Sequence, residues 1–497
     1  MGVDRFDVAV VGAGFGGLAA ALRLAELGAR VVVHERLVYP GGCAGTFTRQ
    51  GYRFAAGATV AGGFGPGQPF DRWRRDHGLP IVATPMDPAV ELRWDGGRLP
   101  TDADRERFVE RFGAAGRRWF ARQAAVADRT WPFFEQPDLL PPLSAAGVLG
   151  HLRRLPSTLG LMPLLGRTAG SLLPPDAPMA LRLWLDAGCR ISVQCGLDEA
   201  DAVFALSALD WWWRGVAHVR GGTGALAWSV VEALRGLGVE VRFADRVRTL
   251  RSDGDGWRLT ARSGEVRART VIANLLPADL ARLLGRDTPG LVRADRAVRT
   301  GWGAVMIYAV AREPAGCSPD ALHLQLVDDP TAPLLEGNHA FVSVSGRADG
   351  FAPAGLRTVT ISTHADLGGW PEQRAERVAA IQERMRALVV RRAPEWSDWT
   401  LKLPASPRTF ERFVGRAGGW VGGVPSRAGR WPLTGAFHRP VLPGLWRVGD
   451  GVFPGQSILA AAVGGHRVAE AASRSRLVQA ERSSLSRWPE RSAFVAR

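Results

Sequence analysis

Apolar and polar positions along the chain switch between the two periods that mark buried strands and amphipathic helices. Asp7-Val-Ala-Val-Val11 is a short, nearly continuous apolar run of the buried-strand type. Leu18, Leu22 and Ala25 then recur at helical spacing up to a stop at Gly28, and a second run, Arg30 to His34, ends at Glu35. The pattern returns twice. His218 to Leu226 leads into a helix ending at Gly236-Leu-Gly238, then a strand from Val239 to Phe243. A hairpin follows: Trp257 to Ala261, a Ser263-Gly264 turn, Val266 to Ala273, and then Asn274. Near the C-terminus a strand ending in Gly449-Asp450 precedes a helix that opens around Phe453 to Ile458 and runs to about Ser473.

Two long stretches separate these returns. The first reads as mostly helix, with Arg-rich polar faces from Arg105 to Arg129, a proline-broken apolar patch from Leu155 to Leu173, and Met179 to Leu185. The second reads as β: Ala304 to Val310, His323 to Val327, Phe341 to Ser345 and Thr358 to Thr363, then a helix with Val378, Ile381, Met385, Leu388 and Val389 on one face. The expected fold class is α/β. A Rossmann-type dinucleotide domain is assembled from the discontinuous segments 1–75, 216–290 and 405–475. An α+β substrate domain, a mixed sheet roofed by helices, comes from 76–215 and 291–404, and a tail covers 476–497.

Composition narrows the classes. A chain of 497 residues with 46% hydrophobic and 22% charged residues is globular, and 60 Gly with 33 Pro imply turns rather than a fibrous repeat. Four cysteines, Cys43, Cys189, Cys195 and Cys317, form no CxxC pair, so no metal site or disulfide framework is expected and the compartment reads as cytosolic. The net charge of +15 is almost all arginine, Lys402 being the one lysine. No DNA- or RNA-binding motif accompanies it, so no nucleic-acid partner is expected. Leu155 to Gly166 is an uncharged run with two prolines, too short to span a bilayer. Flanked by Arg153, Arg154 and Arg167, it has the makeup of a patch lying on the inner face of a membrane, or of a buried loop-helix.

The chemistry starts at Gly12-Ala-Gly14-Phe-Gly16-Gly17. In a chain this rich in glycine a chance GxGxxG is expected roughly once. Its place between two apolar strands, with Glu35 at the end of the second, is what makes it a dinucleotide fingerprint. Gly12 permits the tight turn, Gly14 lets the backbone approach a pyrophosphate, Gly17 lets helix and strand pack, and Glu35 suits the adenosine ribose hydroxyls. Arg36 and a second glycine loop, Pro40 to Phe47, follow; a nicotinamide-only domain has no need of that loop.

With that loop, the chain resembles the phytoene desaturase-like FAD oxidoreductases. Gly221-Gly222-Thr-Gly224-Ala-Leu226 is similar to a family segment, and so is Val448-Gly-Asp450 running into Phe453-Pro-Gly-Gln456. The latter phrase marks the branch of carotenoid 3,4-desaturases, carotene cis-trans isomerases and retinol saturases. The resemblance implies FAD held by Gly12, Gly14, Gly17, Glu35, Arg36, Gly42, Cys43, Val247, Asp450, Gly455, Gln456, Ser457 and Ile458. Asp450 would face the ribityl chain and the helix start near Gln456 the flavin's pyrimidine edge. Cys43, where amine oxidases carry arginine, argues against amine oxidation, as does Ala55 where many relatives have an acid.

The implied activity is FAD-dependent desaturation of a long apolar polyene, such as a 1-hydroxycarotenoid at C3,4, with quinone or oxygen as electron acceptor. A cis-trans isomerase or saturase using reduced FAD is the alternative within the branch, and a non-catalytic carotenoid- or lipid-binding flavoprotein the alternative in class. Trp211-Trp212-Trp213, read as a strand, either lines an apolar tunnel or belongs to the core. The histidines form no acid–base set in the sequence, and no catalytic residue is assigned.

Overall fold

The computed structural model describes residues 4–135, 145–368, 374–429 and 438–485. Its first sheet is built on Asp4–Val11, whose Val8, Ala9 and Val10 have no exposed surface. This strand runs parallel to Val31–His34 on one side and to Gly264–Ala273 on the other. Glu240–Arg242 extends the first edge, again parallel. Gly264–Ala273 pairs antiparallel with Gly256–Ala261 through its first half and parallel with Leu445–Arg447 through its last residues. Strands from all three N-terminal, central and C-terminal returns therefore share one seven-stranded sheet.

Small residues let the helices close on this sheet. Phe15–Glu26 packs against the C-terminal helix Ile458–Leu485, and a methyl group at Gly465 would come within 2.2 Å of the Gly16 carbonyl oxygen. Arg23 Nε donates to Glu470 across the same seam at 2.6 Å.

The second sheet runs Trp399–Ala405, Trp302–Arg312, Leu356–Ala365, His339–Val344, Leu322–Val327, Glu91–Trp94 and Gly97–Pro100, with Trp420–Val421 pairing beside the start of Trp302–Arg312. Period-2 alternation gives it two different faces. Val305, Ile307, Ala309, Leu324 and Leu326 meet Ile381, Met385, Leu388 and Val389 of the helix Arg374–Arg392. The opposite face carries Ala304, Met306, Ser362, His364, His339 and Phe341. Above that face lie Gly113–Thr130, Met179–Ser192 and Ala202–Leu209, whose core includes Trp119, Phe120 and Trp184.

Three elements differ from the sequence expectation. The first stretch, read as mostly helix, also supplies the hairpin Glu91–Trp94 and Gly97–Pro100, strands too short to show a period. The tryptophan run lies in a 3₁₀ turn, Asp210–Trp213, because Asp201 caps the helix before it and the chain stays helical to Trp213. The C-terminal helix starts at Ile458 and continues to Leu485, well past Ser473, while 486–497 lie outside the described residues. Among the described residues no helix is long and apolar enough to cross a membrane.

Candidate functional site

A cavity of about 850 Å³ runs between the two sheets. Its nucleotide end begins with the turn after the first strand, where the Gly12 N–H donates to the His34 carbonyl at 2.8 Å and Gly12 adopts φ of +99°. Three separate chain segments converge here. A methyl at Gly14 would meet Asn274 Nδ2 at 2.4 Å, one at Gly16 the Gly449 nitrogen at 2.7 Å, and one at Gly17 the Gly12 carbonyl at 2.1 Å. A side chain at 14 would displace the Asn274 amide, and glycine is required at 17 by helix–strand packing, as its spacing implies.

Glu35 is buried, and burial raises its carboxyl above the usual range. One oxygen accepts the Ala13 N–H at 2.7 Å and the other the Leu37 N–H at 2.8 Å, which pins the first glycine loop to the second strand. The second glycine loop is a 3₁₀ turn, Gly42–Ala44, and the Gly41 N–H donates to Ala13 at 2.8 Å. Thr223 Oγ1 donates to the Ala44 carbonyl at 2.7 Å, so the Gly-Gly-Thr-Gly segment buttresses this loop from behind. Val247 reaches the cavity from the next return.

At the opposite end of the nucleotide half, Ser457 caps the C-terminal helix, its Oγ accepting the Ala460 N–H at 3.0 Å. Gln456 Oε1 is buried with no hydrogen-bond partner. Asp450 Oδ2 lies 3.0 Å from Arg416 Nη1. The Cys43 thiol sits beside the same guanidinium, and burial pushes it up, so it stays protonated. Of the residues that the resemblance assigns to FAD, all line this cavity except Gly17 and Gly455.

The other half is uncharged. Ala304, Met306, Ser362, His364, His339 and Phe341 form its floor, and Ile191, Phe204, Trp131, Trp211 and Trp212 its roof. Trp213 points elsewhere, into contact with Phe108, Phe120 and Trp184, since successive residues of a helical turn diverge. His339 Nε2–H donates to Gln325 Oε1 at 3.1 Å and His364 stacks on Trp302 at 4.6 Å. Burial pushes both imidazoles down to about 3, which keeps them neutral.

Arg416, Asn274, His339 and His364 escaped the sequence reading. Arg416 stands just beyond the helical turn Phe410–Val414 and Asn274 at the end of the hairpin, but only the fold joins them to the glycine loops. The histidines belong to different strands, and only pairing brings them to one floor.

Outside the cavity, the helix Ala145–Leu159 exposes Leu149, Leu152, Leu155 and Leu159 at spacings of three and four, the last three being at least half exposed. Met162 continues the patch at 56% exposure, so this stretch is a surface feature and not the buried loop-helix.

Residues 10–75 match the model of an NAD(P)-binding Rossmann-like domain. Among curated proteins, the chain is 27% identical to the chloroplastic prolycopene isomerase of Arabidopsis thaliana, over 94% of this chain and 83% of that protein. It is likewise 27% identical to the hydroxyneurosporene desaturase of Cereibacter sphaeroides, over 94% of this chain and 99% of that one. Among solved structures, an oxidoreductase from Methanosarcina mazei superposes with a TM-score of 0.62 at 17% identity, covering 94% of this chain and all of that one. Wild-type putrescine oxidase bound to putrescine superposes at 0.61 with 16% identity, covering 95% and 99%. These two likenesses establish the fold.

Proposed function

We propose that the chain belongs among the phytoene desaturase-like oxidoreductases, in the branch of carotenoid desaturases, cis-trans isomerases and retinol saturases, and that it desaturates an acyclic carotenoid with FAD, a 1-hydroxycarotenoid at C3,4 being the type substrate. The observation that carries this reading is the single cavity joining a glycine-lined, charged half to an uncharged, aromatic half.

The residues fit the cofactor. The two glycine loops face each other so that a methyl at Gly42 would stand 3.6 Å from Gly14 Cα, which lets both backbones approach a pyrophosphate, and the unpartnered Gln456 Oε1 lies buried at the start of a long helix. Gly12, Gly14, Glu35, Arg36, Gly42, Cys43 and Val247 would hold the nucleotide part. Asp450, Gln456, Ser457 and Ile458 would hold the ribityl and flavin part, with Gly17 and Gly455 shaping the turns. Bound there, FAD supplies a two-electron acceptor for a substrate hydrogen.

The chain's own contribution is placement. Trp211, Trp212 and Phe204 press a polyene against Met306 and Phe341, and an uncharged enclosure keeps water from a carbon centre that becomes electron-poor. The departing proton needs no strong base when the charge is spread along a polyene. The neutral imidazoles of His339 and His364 are the basic groups on that floor. Quinone or oxygen completes the cycle as acceptor, and the exposed leucine patch rests on the inner face of the membrane that holds the substrate.

The isomerase and desaturase relatives match at the same 27% identity over the same 94% of this chain, so the two readings are separated by the electron balance of the reaction. The isomerase and saturase readings use the same cavity. Chromatography of carotenoids from a pigment-producing host with and without the protein tests the proposal. A new carotenoid two hydrogens lighter than its precursor is expected, and an unchanged pigment profile would contradict it.

A further inference from the structure

Arg416 enters the cavity from a loop that no dinucleotide motif covers. Gly415, at φ of +82°, turns the chain so that the guanidinium falls between two cavity walls: Cys43 on the second glycine loop and Asp450 at the end of the Leu445–Arg447 strand. Its backbone is fixed from behind, the Ala417 N–H donating to Asp279 at 2.9 Å. A guanidinium has five N–H donors in a rigid fork. Here Nε donates to the Trp420 carbonyl and Nη1 to Asp450 at 3.0 Å, while Nη2 is buried with no partner. The side chain is only 13% exposed, and the neighbouring thiol is a weak acceptor. A buried guanidinium left with unused donors at the junction of two ligand-facing loops is a site awaiting an acceptor.

We propose that Arg416 is a direct cationic contact to FAD, its Nη2 fork completing a hydrogen bond to an acceptor on the cofactor that Asp450 and Cys43 cannot supply. FAD offers such acceptors at two places, the pyrophosphate oxygens and the N1–C2 carbonyl edge of the flavin. This inference rests on the FAD reading above.

The test measures FAD dissociation constants, in the oxidised and reduced states, and the flavin midpoint potential for wild type, Arg416→Met and Arg416→Lys, with thermal melting to confirm folding. Arg416→Met is expected to weaken FAD at least tenfold, with the lysine variant between it and wild type. Equal weakening of both states, with the potential unmoved, places the contact at the pyrophosphate. Greater weakening of the reduced state places it at the pyrimidine edge, each tenfold difference lowering the two-electron potential by about 30 mV. Should Arg416→Met fail to fold, Arg416→Gln is measured in its place and read in the same way. Wild-type affinity and potential in the neutral variant would overturn the inference, whereas a folded wild type that binds no FAD would overturn the FAD reading itself.

Discussion

Two glycines in one turn, Gly14 and Gly17, have different nearest neighbours, and that distinction decides what each substitution reports. Gly17 touches only the protein, its missing methyl standing 2.1 Å from the Gly12 carbonyl. Gly17→Ala therefore forces the first helix off the first strand, at a cost of about 1–3 kcal/mol typical of overpacking. Thermal melting of the apoprotein should show a lower midpoint, and an unchanged midpoint would mean the helix is not seated as described. A methyl at Gly14 would stand 2.4 Å from Asn274 Nδ2, so a bulky residue there disturbs the protein and any bound nucleotide together. Asp450 is similar: its pairing with Arg416 means that removing the carboxylate also strands a guanidinium.

At the scale of elements, the exposed leucines of Ala145–Leu159 and the arginines beside them suit an anionic lipid surface. Wild type should float with phosphatidylglycerol vesicles at low salt and be partly released as salt rises, while the double variant Leu152→Asp, Leu159→Asp should stay in the aqueous fraction. Wild type absent from the vesicles at low salt would remove the membrane proposal. The elements that sequence made legible are those with long or strict periods. The first strand–helix–strand unit, the hairpin at 256–273 and the buried stripe of Arg374–Arg392 all carry patterns that only one secondary structure satisfies. Four-residue strands such as Glu91–Trp94 have no such length, and their place is set by pairing with Leu322–Val327, over two hundred residues away in the chain. The glycine loops of the site were legible for the same local reason. Arg416, His339 and His364 were not, because what defines them is the company they keep across strands and loops.

For the whole molecule, burial has a consequence for pH. His323 and His339 are 2% and 1% exposed, and burial pushes each down to about 3 against an ordinary value of 6.5. Between those values the unfolded chain binds protons that the fold refuses, so stability falls as pH drops from about 6.5 toward 3, by up to about 1.4 kcal/mol per pH unit for each imidazole. The urea midpoint should be lower at pH 5 than at pH 7.5, and equal midpoints would contradict the buried neutral assignment. The proposed chemistry uses the same buried interior: one cavity in which an uncharged, aromatic half opens onto a glycine-lined, charged half. Desaturation and isomerisation differ there in electron balance, since the first consumes an oxidant and the second returns the flavin to its starting state. The most direct test is an anaerobic single turnover in which oxidised, FAD-loaded enzyme meets a 1-hydroxylated acyclic carotenoid. Desaturation predicts that the flavin absorbance bleaches in step with a product two hydrogens lighter and absorbing at longer wavelength. A product of unchanged mass, formed only when the flavin is reduced beforehand, would contradict it.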